Sequence, residues 1–272
     1  MMEMTEEVYI MNHNSTFDFT FLGTCARDFS EKLQTEHRDH FDDNARRASA
    51  VLLNSSCLID AGIHILDSLR IIRKPLREIE DVFVTHFHDD HFSFDNIEKI
   101  AKEKEVPLRV WVRENAKIVP IPNVSFIRMT PFETYEVKNG LFITGLPANH
   151  DSSVFPQHFL IEKNQTRIFY GCDGAWFLNE TYRFLRDKAL ALVVLDCTVG
   201  DYVGDYRLAE HNSIPMIRLM LPSLKTIGAI NEQTSIYLSH IAPSLHRSHA
   251  ETQAITKDFR ANVAFDGLTI FV

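Results

Sequence analysis

The chain has 272 residues, with 28 Lys plus Arg against 37 Asp plus Glu, a formal net charge of −9. Hydrophobic residues at 45% and charged residues at 24% exclude a disordered chain, which lacks the apolar content to offset its ordering entropy. The acidic balance also argues against a protein that lives on nucleic-acid backbones, where Lys and Arg carry the affinity.

Taken in chain order, the first segment, Met1 to Met11, is acidic where a secretory leader is basic. Residues 17–22 alternate and predict a strand ending at Gly23. Residues 30–47 are polar and charged and read as a loop or exposed helix that covers something, with Arg46 and Arg47 expected as a solvated pair. Residues 50–53 and 57–60 predict two short strands joined by a hairpin at Asn54-Ser55-Ser56. Residues 63–73 carry helical spacing, and 81–85 predict a buried strand that runs into a His-rich turn. A helix at 94–104 follows, then strands at 108–112, 124–129, 134–137, 141–146, 157–161 and 167–170. Helices are predicted at 179–187, 214–224 and 244–256, the second capped by Asn212 or Ser213 with Pro215 in its first turn. Strands are predicted at 191–195 and 235–238. Two more, at 262–265 and 268–272, are expected to form a hairpin around Asp266-Gly267. The apolar stretch at 189–195 is far too short to span a bilayer. Cys25, Cys57, Cys172 and Cys197 are dispersed, with no C-x-x-C pair, and read as reduced thiols. A single cytoplasmic domain spanning 1–272, with no membrane partner, is the expectation. Strands in two runs, each with helices, suggest two sheets packed face to face with helices outside.

The chemistry concentrates in Thr85-His86-Phe87-His88-Asp89-Asp90-His91. A strand groups His86 with His88 on one face, and the turn that follows swings Asp90 and His91 round. Two groups aimed at adjacent points suit two metal ions, and imidazole with carboxylate suits Zn, Mn or Fe.

This His-x-His-x-Asp-His run after an apolar strand resembles the signature of the metallo-β-lactamase-fold hydrolases. Further matches follow in order, each at a predicted strand end: His150 in Gly145 to Asp151, Asp173 before Gly174, and His240. Asp60-Ala61-Gly62 is similar to the family's early aspartate motif. The resemblance runs from about Thr20 to the C-terminus. It implies a four-layer αββα sandwich of two mixed sheets. It further implies two divalent ions, Zn or Mn foremost and Fe less so. His86, His88 and His150 would hold one, Asp90, His91 and His240 the other, and Asp173 would bridge them. Asp60 would orient a ligand histidine. Histidine at position 88, where the redox branch has Glu, and the absence of a ligand cysteine point to neither the flavodiiron nor the antibiotic-cleaving branch.

A paired site of this kind lowers the pKa of a bridging water and so suits hydrolysis. Asp196 ending a strand, followed by Glu210-His211-Asn212-Ser213, resembles the phosphodiesterase branch that includes ribonuclease Z-like enzymes and the phosphonate-pathway cyclic phosphodiesterase. Phe21-Leu22-Gly23-Thr24-Cys25-Ala26 is similar to the opening of these relatives. The resemblance implies His211 as general acid, with Asp90 and Asp173 as the carboxylates of the reacting centre. The Cys-rich zinc clip of the phosphonate-pathway enzyme is absent, as is the long RNA arm of the tRNA-processing relatives. The expected substrate is therefore a small or cyclic anionic phosphodiester, not a long nucleic acid. A lactone, amide or thioester hydrolase with the same centre and a non-catalytic metal-binding module are the alternatives, and a homodimer is left open. Phe87 and Phe92 are expected to keep the site dry. His246 and His249 sit at helical spacing and either line the site or face solvent, while His13, His37, His40, His64 and His158 follow no pattern.

Overall fold

The apolar run at 192–195 has no polar face because both faces of its strand are covered. Leu192 and Val194 point into one buried cluster, and Val193 and Leu195 into another. That alternation recurs through two stacked sheets in a computed structural model that describes residues 15–272. The acidic start and His13 lie outside the described residues.

The first sheet contains β1 (Asp18–Gly23), β2 (Ala50–Leu53), β3 (Cys57–Ile59), β4 (Asp81–Phe83), β5 (Leu108–Arg113) and β6 (Val124–Met129). The second contains β7 (Thr134–Lys138), β8 (Leu141–Pro147), β9 (Gln157–Lys163), β10 (Thr166–Gly171), β11 (Leu192–Asp196), β12 (Ser235–Ser239) and β13 (Ala261–Val263). The chain then crosses back, and β14 (Thr269–Phe271) closes the first sheet beside β1. Both sheets are mixed, with parallel pairing from β3 to β6 and from β10 to β13. Phe19, Phe21, Phe83, Phe159 and Tyr170 fill the space between the sheets. Helices α1 (Ile65–Ile71) and α2 (Phe94–Lys102) bury Ile65, Leu69, Ile97 and Ile100 against the outer face of the first sheet. Helices α3 (Asn179–Phe184), α4 (Ile214–Thr226) and α5 (His249–Thr256) flank the second, where Ile217, Met220 and Leu224 of α4 pack on Val193 and Leu195. This is the expected αββα sandwich. No helix among the described residues is long and apolar enough to cross a membrane.

Three local expectations are corrected. Asp266-Gly267 does not close a hairpin, because β13 pairs parallel with β12 in one sheet and β14 pairs with β1 in the other. Asp266 is buried instead, accepting from the Thr24 hydroxyl at 2.8 Å and from the Arg47 amide at 2.6 Å. Arg46 and Arg47 are not a solvated pair, since only 3% and 2% of their surfaces are exposed. Arg46 donates to Thr24 and the Ala264 carbonyl, and Arg47 donates to the carbonyls of His37 and His40, so the 30–47 segment is stitched down from within. Thirdly, the last helix begins at His249, not 244. Ser248 and Glu251 form a capping box there, which leaves His246 in the preceding loop.

Asp266 thus joins β1, the 30–47 segment and the link between the sheets. Asp266→Ala leaves a buried amide and hydroxyl without an acceptor and the Arg46 charge without its nearby counter-charge. A loss of roughly 3 kcal/mol in urea denaturation at neutral pH is expected, and an unchanged midpoint would contradict this account.

Candidate metal centre

The candidate residues lie just beyond the strand ends, where the parallel strands of both sheets run out toward one edge. Asp60 follows β3, His86 to His91 follow β4, and His150 follows β8. Asp173 follows β10, Asp196 ends β11, and His240 follows β12. The turn after β4 is clamped by its neighbours. Ala61 donates its amide to the His91 carbonyl at 2.8 Å, and a Cβ on Gly62 would stand 1.7 Å from the Asp90 carbonyl oxygen. Only glycine fits there. Asp60 and His240 both sit at positive φ, 64° and 57°, a conformation that costs energy for any residue but glycine.

All seven expected ligands converge. His86 Nε2 lies 2.9 Å from His88 Nδ1, which lies 3.2 Å from His150 Nε2. His91 Nε2 lies 3.2 Å from His240 Nε2 and 3.4 Å from Asp90 Oδ2, and His240 Nε2 lies 3.9 Å from that oxygen. Asp173 Oδ2 stands between the groups, 3.8 and 3.6 Å from His86 and His150 and 4.0 and 3.3 Å from His91 and His240. Those four imidazoles have side-chain exposures of 2% or less.

The outer nitrogens are held by two matching devices. In the first, Asp60 accepts from the Thr85 amide and hydroxyl at 2.7 and 2.8 Å and from His91 Nδ1 at 2.7 Å. With its proton given to Asp60, the Thr85 hydroxyl oxygen is left to accept from His86 Nδ1 at 3.0 Å. In the second, Asp196 accepts from the Thr198 hydroxyl at 2.9 Å, and the Thr198 oxygen accepts from His240 Nδ1 at 2.7 Å. Each device commits an outer ring nitrogen as donor, so the inner Nε2 of His86, His91 and His240 presents a lone pair. Lone pairs at about 3 Å repel unless a cation lies between them, so the donor set fits divalent metal ions. Protonation equilibria point the same way. Burial opposes charge on His91, but Asp90 and Asp60 outweigh it and hold its pKa well above the ordinary value. Burial would raise the Asp173 pKa, but His240 and His211 pull it well below the usual carboxylate range. A positive charge is favoured at the centre of the cluster.

His211 reaches the cluster from the turn before α4. Its Nδ1 is 2.7 Å from Asp173 Oδ1 and 3.2 Å from Asp196 Oδ2. Burial works against its charge, yet the two carboxylates lift its pKa to about 11. Ser213 caps α4, and Asn212 donates its amide to Asp196 and its side chain to the Gly174 carbonyl. His211 is therefore not a capping residue. A cavity of about 270 Å³ opens over the cluster, lined in part by His88, Asp173, His211, Arg27 and Arg207.

Other expectations sort as follows. The Phe87 and Phe92 rings pack at 4.9 Å beside the ligand turn. His246 and His249 line a separate depression with Arg46 and Arg247, and His246 Nε2 donates to the Cys197 carbonyl at 2.7 Å. His158, which followed no pattern, is fully buried with Nε2 3.2 Å from the Asp173 carbonyl, where it steadies the residue between the two groups. The roles of Thr85, Thr198 and His158 were not foreseen. Only Asp196-Cys197-Thr198 left a local trace, a carboxylate and a hydroxyl two residues apart. The four cysteines are buried and unbonded.

Asp60→Asn tests the first device. An amide keeps one acceptor oxygen and turns the other position into an N–H donor, which then faces the donors of Thr85 or His91. Metal affinity, measured by competition with a chromophoric chelator, is expected to fall about 10- to 100-fold, and unchanged affinity would deny Asp60 this orienting role.

The family described as "Beta-lactamase superfamily domain" matches residues 56–228, more than half the chain. That span holds every residue of the cluster except His240. No curated protein matches the sequence. Among solved structures, the metallo-β-lactamase-fold protein YhfI of Bacillus subtilis superposes with a TM-score of 0.72 at 14% identity, covering 93% of this chain and 98% of its own. Zn²⁺-bound PqqB of Methylobacterium extorquens gives 0.69 at 17% identity, covering 94% and 100%. A diphosphatase from the PhnP family gives 0.68 at 15% identity, covering 94% and 98%. At these identities the likeness is one of fold.

Proposed function

The chain belongs to the β-lactamase superfamily, and on that premise we propose that it is a two-metal hydrolase that cleaves a small phosphodiester. One observation carries this reading: Asp173 presents Oδ2 to both histidine groups while its Oδ1 lies 2.7 Å from His211. His86, His88 and His150 would hold one ion, Asp90, His91 and His240 the other, and Asp173 both. Zn, Mn or Fe suits this donor set, and the Zn²⁺-bound neighbour supports zinc in the same fold. Divalent ions in such a site activate water as a nucleophile and offset charge on phosphoryl oxygens.

The remaining steps fall to the protein. Asp60 and Asp196, acting through Thr85 and Thr198, fix the rings. Asp173 and Asp196 together hold a proton on His211. With Nδ1 facing those carboxylates, His211 has Nε2–H left to give to the departing oxygen. That proton removes the cost of expelling an alkoxide. The Phe87 and Phe92 pair limits water on the flank of the ligand turn. The small cavity supports a small substrate, and the neighbour described as a diphosphatase supports a phosphorus centre.

The test is a panel of bis(p-nitrophenyl) phosphate, cyclic nucleotides and a lactone, assayed with Zn and with Mn. Turnover of a phosphodiester is expected. Turnover of the lactone alone would replace this reading with an acyl hydrolase, and freshly purified protein free of transition metal would replace it with a binding module.

A further inference from the structure

Two adjoining depressions flank the loop that leads from His240 into α5, and they share walls made by His246, Arg247 and Thr252. Neither shares a lining residue with the cavity over the metal cluster. The smaller, of about 180 Å³, is lined in part by Arg46, His246, Arg247 and His249, and no acidic residue lines it. Arg46 is buried, with 3% of its surface exposed. Its Nη1 donates to the Thr24 hydroxyl and the Ala264 carbonyl, and its Nη2 donates to His249 Nδ1 at 3.0 Å. Its Nε–H and one Nη2–H are left without an acceptor among the described residues. The carboxylates that steady its charge, Asp266 foremost, lie outside the lining.

Arginine only donates, so His249 Nδ1 accepts, and the neutral ring carries its proton on Nε2. Burial, and then the Arg46 charge, hold the His249 pKa below its ordinary value and keep the ring neutral. Arg247 is exposed, and its guanidinium makes no hydrogen bond or close ion pair among the described residues. The His249 and Glu251 amides at the start of α5 are already taken by Asn44 and Ser248, so side chains and not the helix end supply the donors here. The larger depression, of about 380 Å³, continues from the shared walls along Tyr202, Ile214, Leu245 and Ile255, with Asp201 as its one acidic lining residue. Donors stand at one end and apolar surface at the other. The shared wall also leads to the metal centre. His246 Nε2 donates to the Cys197 carbonyl at 2.7 Å, and the next residue, Thr198, holds His240 Nδ1 at 2.7 Å and Asp196 at 2.9 Å.

We propose that the two depressions form one effector site, separate from the metal centre, for a small organic phosphate or phosphonate, and that its occupancy is felt at His240 through His246 and Thr198. The dianionic head sits against Arg46, Arg247 and His249, since arginine meets phosphate oxygens with paired N–H donors. The apolar part lies against Tyr202, Leu245 and Ile255, where its burial adds to affinity. Asp201 repels a head group placed the other way round. A ligand that packs on His246 steadies the Cys197 carbonyl and hence the hydroxyl that orients His240. The coupling is reciprocal, so ligand and metal strengthen each other by one factor. The proposal is independent of what the metal centre cleaves.

The test is calorimetric titration of the metal-loaded protein with phenylphosphonate, whose carbon–phosphorus bond a phosphodiesterase does not hydrolyse, against inorganic phosphate. Phenylphosphonate is expected to bind about tenfold more tightly than phosphate, and Tyr202→Ala should remove that preference. Arg247→Gln should weaken phenylphosphonate about tenfold and Arg247→Lys should restore part of the loss. Asp173→Ala, which removes the carboxylate shared at the metal centre, should still bind it. Binding that is lost in Asp173→Ala and untouched by Arg247→Gln would place the ligand on the metals and overturn the site, as would affinity no better than that of phosphate. Competition with a chromophoric chelator reads the coupling: saturating phenylphosphonate should raise metal affinity about fivefold in the wild type and leave it unchanged in Arg247→Gln. Metal affinity indifferent to the ligand, or raised equally in both proteins, would overturn the link through His246.

Discussion

Asp173→Ala is expected to abolish hydrolysis and to empty the paired site. The Asp173 side chain brings a carboxylate oxygen within 4.0 Å of imidazoles from both sets, and its other oxygen faces His211. Its loss leaves inward-facing nitrogens with no shared anion, and metal binding must then overcome their mutual repulsion. The stabilisation that a paired metal site gives the transition state is several kcal/mol, so kcat/KM on a phosphodiester should drop roughly 10³-fold or more. Elemental analysis should show bound metal falling from about two ions per chain to one or none. The neighbouring Cys172 is the control. It is fully buried in the core between the sheets. Cys172→Ala should keep its metal and its rate and lose about 1 kcal/mol of stability to the small cavity. Full activity in Asp173→Ala would remove the bridging role and with it the argument for two metals.

The convergence of the seven candidate ligands was legible because the family resemblance and simple geometry agree at each position. Every candidate stands in the segment that follows an apolar strand, and a run such as His86-x-His88-x-Asp90-His91 would need a partner for each imidazole if it were buried in an ordinary core. The layering was legible from apolar runs such as 192–195, which demand cover on both faces. What stayed hidden depends on contacts far apart in sequence. Asp266-Gly267 carries a strong local turn signal, but the neighbours that decide its fate are Thr24 and the Arg47 amide, more than 200 residues away. Arg46 and Arg47 read as solvated because charge is usually solvated, and it takes the carbonyls of His37, His40 and Ala264, the Thr24 hydroxyl and the nearby Asp266 carboxylate to make their burial tolerable. Thr85 and Thr198 escaped notice because a hydroxyl between a carboxylate and an imidazole is a property of the assembled site. His158 escaped for the same reason, since its partner is a backbone carbonyl with no signature in sequence.

His211→Ala should cost about 10²- to 10⁴-fold in turnover of a phosphodiester with an alkyl or nucleoside leaving group, and far less with p-nitrophenolate. The reason is the charge on the departing oxygen. An alkoxide is too basic to leave unaided at neutral pH, whereas p-nitrophenolate is a stable anion and needs no proton. The structure supplies the means for the difference. Asp173 and Asp196 face Nδ1 at 2.7 and 3.2 Å and hold the ring protonated through the neutral range. The proton is lost only as pH rises through the raised pKa, so acid assistance should persist across neutral pH and fail on the alkaline side. Metal content separates this role from a structural one, because His211 is not among the seven expected ligands and its removal should leave bound metal in place. Equal losses on both leaving groups would mean that His211 works by holding Asp173 in position rather than by giving up a proton. In that case His211→Asn, which can still donate to Asp173 but cannot act as an acid at neutral pH, should recover much of the rate. If His211 is the acid, His211→Asn should be as slow as His211→Ala on the alkyl ester.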